Sequence, residues 1–329
     1  MLPLPPFQLH TPTTLPAALE LLERYGAQAA LVAGGTDLLP NMKQGLAAPG
    51  HLVSLRAVPG LDEVRHQPGV LRIGAMTSLA AVAAHPEVRA GARALAEAAQ
   101  AVGGPHHRRM GTLGGTLCLD TRCRYYNQTH FWRQALGYCL KKDGTECHVV
   151  QGGKRCVAAA SNDTATALIA LSGTLSLVGP AGSREVPARE FYTADGLKNT
   201  VLGSGEILVS VSVPLAPGHS SAYEKLRQRG AIDFPLLSVA ARVDVIESRV
   251  ASLSLVVSAL AARPRRVART EALAVGKLPE EVSVAQIAEA ARRECNPLAN
   301  IEGDAPWRKE MVAVLARRAL TRAGLGGAS

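Results

Sequence analysis

Apolar and polar positions along the first hundred residues alternate between helical and strand periods. TLPAALELLERYG has the spacing of an amphipathic helix and stops at Gly26. AALVAGG reads as a short buried strand running into a double glycine, followed by TDLLPNMKQG and the strand-like HLVSLRAV. VLRIGAMTSL predicts a strand entering a turn. LAAVAAHPEVRAGARALAEAAQAVGG predicts two helices punctuated by Pro86. Further along, SNDTATALIALSG has helical periodicity, TLSLVGPAGSREVPA forms a hairpin around Pro180 to Gly182, and EILVSVSVP alternates as a strand. PLAPGHSSA, residues 214–222, has the composition of a linker. Beyond it AYEKLRQR, PLLSVAARVDVIE and ASLSLVVSALAA predict three strands, with helical segments to the end. The pattern is α+β in several pieces, without internal repeats.

Composition narrows the class. With 329 residues and 47% hydrophobic content the chain can build more than one core, and at 4% aromatic residues those cores are aliphatic. No apolar run is long enough to span a membrane, and MLPLPPFQLHTPTT lacks the basic and apolar parts of a secretory leader. The expectation is a cytoplasmic protein whose thiols are kept reduced, where clustered cysteines point to metal or redox chemistry. The net charge of +9 is spread over PHHRRM, ARPRRVART, ARRECN and WRKEMVAVLARRALTRAGL. In the last, basic residues alternate with apolar ones as on the wet side of a helix. No basic motif is interleaved with aromatics, so solvated helix faces account for the charge better than nucleic acid does.

Two glycine pairs carry candidate chemistry: Ala33-Gly34-Gly35-Thr36-Asp37 and Gly111-Thr112-Leu113-Gly114-Gly115-Thr116. Adjacent glycines let backbone N–H groups approach phosphate oxygens closely, and threonine hydroxyls add donors. Neither loop is a dinucleotide fingerprint or a Walker A loop. Each alone is also what a tight turn after a strand requires.

Taken in order, LVAGGTDLLPNMKQG, GTLGGTL, SNDTATALIAL and YEKLRQRGAIDFPLLSVAARV resemble the FAD-binding subunits of the xanthine oxidase family of molybdenum hydroxylases. The resemblance runs over nearly the whole chain. It implies a two-lobed, vanillyl-alcohol-oxidase-like FAD-binding fold, with an N-terminal α/β lobe at about 1–60 and a second lobe at 61–215. A C-terminal domain of a three-stranded sheet and a helix bundle would occupy 216–329. It further implies that Val32, Ala33, Gly34, Gly35, Thr36, Asp37 and Leu38, with Thr112, Leu113, Gly114, Gly115 and Thr116, wrap the FAD pyrophosphate. Val102, Asp163 and Lys225 would be further flavin contacts. Where the family's second loop commonly ends in Asn, this chain has Thr116, which keeps a polar side chain.

Between the second loop and the SND segment lies a stretch, at about 118–160, that most of that family lacks. It holds Cys123, Cys139, Cys147 and Cys156 in the spacing C-x15-C-x7-C-x8-C. Paired zinc knuckles and the plant-type [2Fe–2S] spacing are both absent. Four thiolates converging from a long loop suit a [4Fe–4S] cluster. Their sequence neighbours are Arg, Lys, Asp, Gly and Gln, which offer no apolar face to bury them. His130 and His148 are expected at the surface or behind the ligands, and Cys118 and Cys295 as buried structural thiols. Tyr125, between loop and cysteines, is the candidate to stack on the isoalloxazine; ordinary packing is its alternative.

The cysteine stretch, TRCRYYNQ…GYCLK…CHV…RC, resembles one branch of the family, the flavin subunits of 4-hydroxybenzoyl-CoA reductases. That resemblance implies an electron relay with no catalytic residue of its own. Electrons would pass from a ferredoxin-like donor through the cluster and FAD to a [2Fe–2S] small subunit and a molybdopterin-binding large subunit. Another hydroxylase of the family, passing electrons outward, is the runner-up. A zinc-stapled binding protein is the alternative from a different class.

Overall fold

The computed structural model describes residues 2–326, arranged as three sheets with helices packed on them. The first sheet holds strands β1 (Gln8–His10), β2 (Ala29–Val32) and β3 (His51–Ser54) in the order β1-β3-β2, all parallel. The helix Leu15–Tyr25 makes the crossover from β1 to β2. Its N-cap Thr14 accepts from the Ala17 amide, Pro16 stands in the first turn, and Gly26 ends it at φ 47°. Ala18, Val53, Leu55, Val58 and Leu61 form its core, joined by Ile207 and Val209 from the second sheet. The carboxyl end of β2 delivers the chain into Ala33–Gly35. In open α/β sheets this end of a strand is where ligands bind.

The second sheet is antiparallel: β4 (Val64–Gln67), β5 (Val70–Gly74), β6 (Thr174–Gly179), β7 (Gly182–Pro187) and β8 (Ile207–Pro214), in the order β4-β5-β8-β6-β7. Pairing of β5 with β8, Val70 opposite Pro214 through Gly74 opposite Ser210, joins segments far apart in sequence. The turn between β6 and β7 is the expected one at Pro180. Around Pro86 there are three helices rather than two: Leu79–Ala84, Pro86–Gly91 and Arg93–Ala101. Pro86 forces His85 into extended backbone, and Ala92 leaves helical geometry at φ −144°, ψ 50°, so the apolar periodicity runs through two breaks. Helix Asp163–Ala170 is buried along its whole length between this sheet and the third.

The third sheet comprises β9 (His219–Leu226), β10 (Leu237–Ile246), β11 (Arg249–Ser258) and a two-residue β12 (Arg265–Arg266), in the order β12-β11-β10-β9. Sequence predicts three of these; β12 is too short to show alternation. The expected linker at 214–222 shrinks to 215–218, because His219, Ser220 and Ser221 already pair with β10. Polar residues fit there because β9 is an edge strand. Helices Val284–Glu294 and Ala305–Arg322 close the C-terminal core over Leu255, Val257, Ile287, Val312 and Leu320. Among the described residues no helix is long and apolar enough to cross a membrane.

The inserted stretch starts and ends side by side. Arg122 and Ala159 exchange backbone hydrogen bonds of 2.8 and 2.7 Å, so the loop leaves and rejoins the fold at one point. Inside it, only His130–Ala135 is helical, capped by Thr129.

Phe191 is wholly buried in the large core beneath the second sheet. Phe191→Ala is expected to cost about 3–5 kcal/mol, read as a lowered urea midpoint of the full chain.

Candidate functional site

Between the lobes lies a cavity of about 810 Å³, walled by both glycine segments and by parts of all three sheets' loops. Part of its floor is bare main chain. A Cβ on Gly34 would stand 2.0 Å from the Met110 carbonyl oxygen and 2.8 Å from Gly111 Cα, so the two segments cross backbone to backbone. Only glycine permits that approach. All seven residues from Val32 to Leu38 line the cavity. Among the described residues, the amides of residues 33–38 have no acceptor within the chain, leaving a run of N–H donors along one wall.

The second segment behaves differently from the expectation of a donor loop. Thr112 caps a short helix, Leu113–Leu117, and the amides here already have acceptors. Leu113 donates to Thr77 O at 2.9 Å, Gly114 to Ala75 O at 2.7 Å, Gly115 to Thr112 Oγ1 at 3.1 Å, and Thr116 to Thr112 O at 3.0 Å. Leu113 is buried in the core and does not line the cavity; Thr112, Gly114, Gly115 and Thr116 do. This wall offers close-packed surface, and the first loop offers the donors.

Val102 and Asp163 line the cavity. Lys225 stands one residue behind. Its ammonium, almost fully buried, donates to Asp163 Oδ2 at 2.9 Å and to Ala101 O at 3.0 Å, while the Tyr223 hydroxyl donates to the other Asp163 oxygen. Burial pushes the Asp163 carboxyl up and Lys225 pulls it back. Near the mouth, Arg122 pairs with Asp37 and lies 3.8 Å from the Phe234 ring centroid, tying the first loop, the insert and the C-terminal domain together. Burial raises the Asp37 carboxyl and lowers the Arg122 guanidinium; the pair's mutual attraction opposes both shifts.

Three of the four cysteines of the insert come together beside this cavity. Cys123, Cys139 and Cys156 are buried in one cluster with Leu46, Tyr126 and Ala158, with Tyr125 and Val149 packed on it; Cys147 is half-buried. Most of the apolar cover comes from the insert's own Tyr125, Tyr126, Val149 and Ala158, with Leu46 added from the first lobe. Burial pushes the Cys123 thiol up to about 11, and the nearby Cys156, Cys139 and Cys147 add to the rise. Among the described residues no group of three or more His, Cys, Asp or Glu is arranged to hold a metal ion. At the rim, Arg133 is fully buried, bonded to Asp143 and the Gly45 carbonyl, and its Nε has no partner. His130 is exposed, and His148 contacts the Tyr138 carbonyl and faces the Tyr125 ring.

Comparison with known proteins decides what kind of site this is. The family described as "FAD binding domain in molybdopterin dehydrogenase" matches residues 5–216, and "CO dehydrogenase flavoprotein C-terminal domain" matches 221–323. The chain belongs to the FAD-binding medium subunits of the molybdenum hydroxylase family. The carbon monoxide dehydrogenase medium chain of Hydrogenophaga pseudoflava is 30% identical over 320 residues, 97% of each chain. The aldehyde oxidoreductase FAD-binding subunit PaoB of Escherichia coli K12 is 34% identical over 239 residues, 70% of this chain and 74% of its own. A solved structure of the Hydrogenophaga enzyme, lacking the Mo-pyranopterin moiety of its cofactor, matches with a TM-score of 0.80 over 98% of both chains.

In this medium subunit two expectations are corrected. Tyr126, not Tyr125, lines the cavity; Tyr125 turns to the thiols and His148. Cys118 is not a buried structural thiol. It lies solvent-accessible on the cavity floor, enclosed by protein on its other sides, while Cys295 is buried as expected. Residues that sequence reasoning passed over are Asp120, Arg122, Lys141, Gly196 and Phe234. Arg122 and Phe234 lie inside the quoted stretches without being singled out, because each of the five acts by meeting a segment distant in sequence.

Enclosure pushes the Cys118 thiol up to about 12. In the cofactor-free chain at pH 7.5, iodoacetamide is expected to leave Cys118 unmodified although it is accessible, since the thiolate is the reactive form. Peptide mass mapping should show labelling that rises only in strongly alkaline buffer; ready modification at pH 7.5 contradicts the enclosure.

Proposed function

We propose that this medium subunit holds FAD along the 33–38 amides and carries electrons outward from a molybdenum-containing partner that oxidises a small substrate. The observation that carries the reading is the run of partnerless amides on a cavity floored in part by main chain. Backbone donors in such a row suit a pyrophosphate, and a Cβ at Gly34 would fill the space. When bound, FAD supplies one- and two-electron chemistry. The chain's own part is to bind it, to seal it under the Arg122–Asp37 pair and Phe234, and to exclude competing reactions. The full-length likeness to a carbon monoxide dehydrogenase medium chain supports outward flow. On this reading a molybdopterin-binding large subunit and a [2Fe–2S] small subunit complete the enzyme.

The same reading gives the thiol nest a [4Fe–4S] cluster on Cys123, Cys139, Cys147 and Cys156. Four thiols from one insert, three of them buried together, support it. Cys123, whose thiol is pushed up by burial, must lose its proton on binding, so cluster assembly is favoured by alkaline pH. The insert also favours a second reading, in which a ferredoxin-like donor feeds electrons inward to a 4-hydroxybenzoyl-CoA reductase.

Anaerobic visible and EPR spectra before and after dithionite, with FAD and iron quantified, test both cofactors. About one FAD and about four irons per chain are expected. Gly34→Ala should lose FAD and keep iron, and Cys139→Ala should do the reverse. A Gly34→Ala chain with full FAD overturns the flavin site, and an iron-free wild type overturns the cluster. In the assembled enzyme, flavin bleaching by an oxidisable aldehyde, N-heterocycle or carbon monoxide alone supports outward flow. Bleaching only by reduced ferredoxin supports the second reading.

A further inference from the structure

Lys141 lies in the insert, yet its side chain is nearly all buried, in the wall between the thiol nest and the flavin cavity. Its Nζ donates to Asp120 Oδ1 at 2.7 Å, to Thr121 Oγ1 at 2.9 Å and to the Gly196 carbonyl, and stands 4.8 Å from the centroid of the Tyr126 ring. Asp120 and Tyr126 both line the cavity. On the other side, Tyr126 belongs to the same buried cluster as Cys123, Cys139 and Cys156, so this residue borders both sites. Gly196 donates to the Cys156 carbonyl at 2.8 Å, and a Cβ there would stand 2.8 Å from Cys156 Sγ. The turn that receives the ammonium therefore also closes the nest.

Burying an ammonium is costly, and a neutral side chain of the same length would pack this wall without that cost. A cluster on four thiolates carries net negative charge, which grows as it is reduced, and a fixed cation nearby in low dielectric stabilises the added electron.

We propose that Lys141 is a charge shared by the two sites: it raises the electron affinity of the group in the thiol nest and holds Asp120 and Tyr126 as the wall between nest and cavity. This rests on the cluster reading above. One electron leaves one site and one arrives at the other. No bond in Lys141 forms or breaks, and its ammonium keeps its protons. Lys141 is a positioning residue and touches no substrate.

The test is an EPR-monitored redox titration of the full chain, purified anaerobically with its cofactors. Lys141→Met is expected to weaken electron affinity at the nest at least tenfold, about 59 mV for a one-electron couple. Lys141→Arg should restore most of it. Asp120→Asn, which removes the opposing charge, should move the midpoint the other way. A merely structural lysine predicts no shift, or shifts of one sign in both neutral variants. Lys141→Met with wild-type iron and FAD and an unchanged midpoint overturns the proposal, as does Asp120→Asn shifting in the same direction as Lys141→Met. Should Lys141→Met fail to fold, Asp120→Asn and Lys141→Arg decide alone. Iron content reports separately on the cluster: a wild type without iron sinks the cluster reading and this inference with it, whereas iron with an unmoved midpoint sinks the inference only.

Discussion

Where Gly34 crosses Met110 and Gly111, two stretches of main chain touch with no side chain between them. Most of the site depends on that crossing. It brings the end of the parallel sheet against the helical segment below the antiparallel sheet, and so sets the width of the cavity. With Gly34 pinned from behind, residues 33–38 line the cavity with their amides free of acceptors among the described residues. The opposite wall can then be an ordinary capped helix start, whose amides stay within the fold.

Buried charges hold the pieces around this crossing. Lys225 and Tyr223 on β9 meet Asp163 at the start of the helix Asp163–Ala170, fastening the C-terminal sheet to the second lobe directly behind the cavity. Arg308 does similar work deeper in the C-terminal domain, where it is fully buried and donates to the carbonyls of Leu236, Ala259 and Leu298. Arg122 closes the front by pairing with Asp37 under Phe234. Removing one partner of such a pair leaves the other charge uncompensated, so these residues specify a single arrangement more than they add stability.

The insert turns a polar sequence into a buried nest. It is rich in Arg, Lys, Gln and Gly, but its own Tyr125, Tyr126, Val149 and Ala158, with Leu46 from the first lobe, supply apolar cover. The C-terminal domain clamps it: the Arg124 amide donates to the Asn300 carbonyl at 2.7 Å, and Asn300 Nδ2 donates to the Val157 carbonyl at 2.6 Å. Held on three sides, the loop keeps three of its four cysteines together beside the cavity with little regular structure of its own.

Local periodicity and turn chemistry were enough to read most elements. The helix Leu15–Tyr25 with its Thr14 and Gly26 ends, the hairpin at Pro180 and the long strands β10 and β11 all follow from side-chain spacing and backbone preference, which act over a few residues. The cysteines and the glycine pairs were legible as chemistry for the same reason: few residue types can do what they do. Short or interrupted elements were not, as with β12 and the break at Ala92, because two residues carry no period and an unbroken apolar stripe hides a kink. Nor could spacing tell that Tyr126 rather than Tyr125 faces the cavity, that Leu113 turns into the core, or that Cys118 lies open on the floor. Adjacent residues differ there only in which way a fixed backbone points them. Lys141 is the extreme case, a surface-type residue in a polar loop that becomes a buried cation because Asp120, Thr121 and Gly196 converge on it. Sequence determined which groups are present and which local shapes they prefer. Tertiary structure alone decided which of them share a wall, since burial and electrostatic fields arise only where distant segments meet.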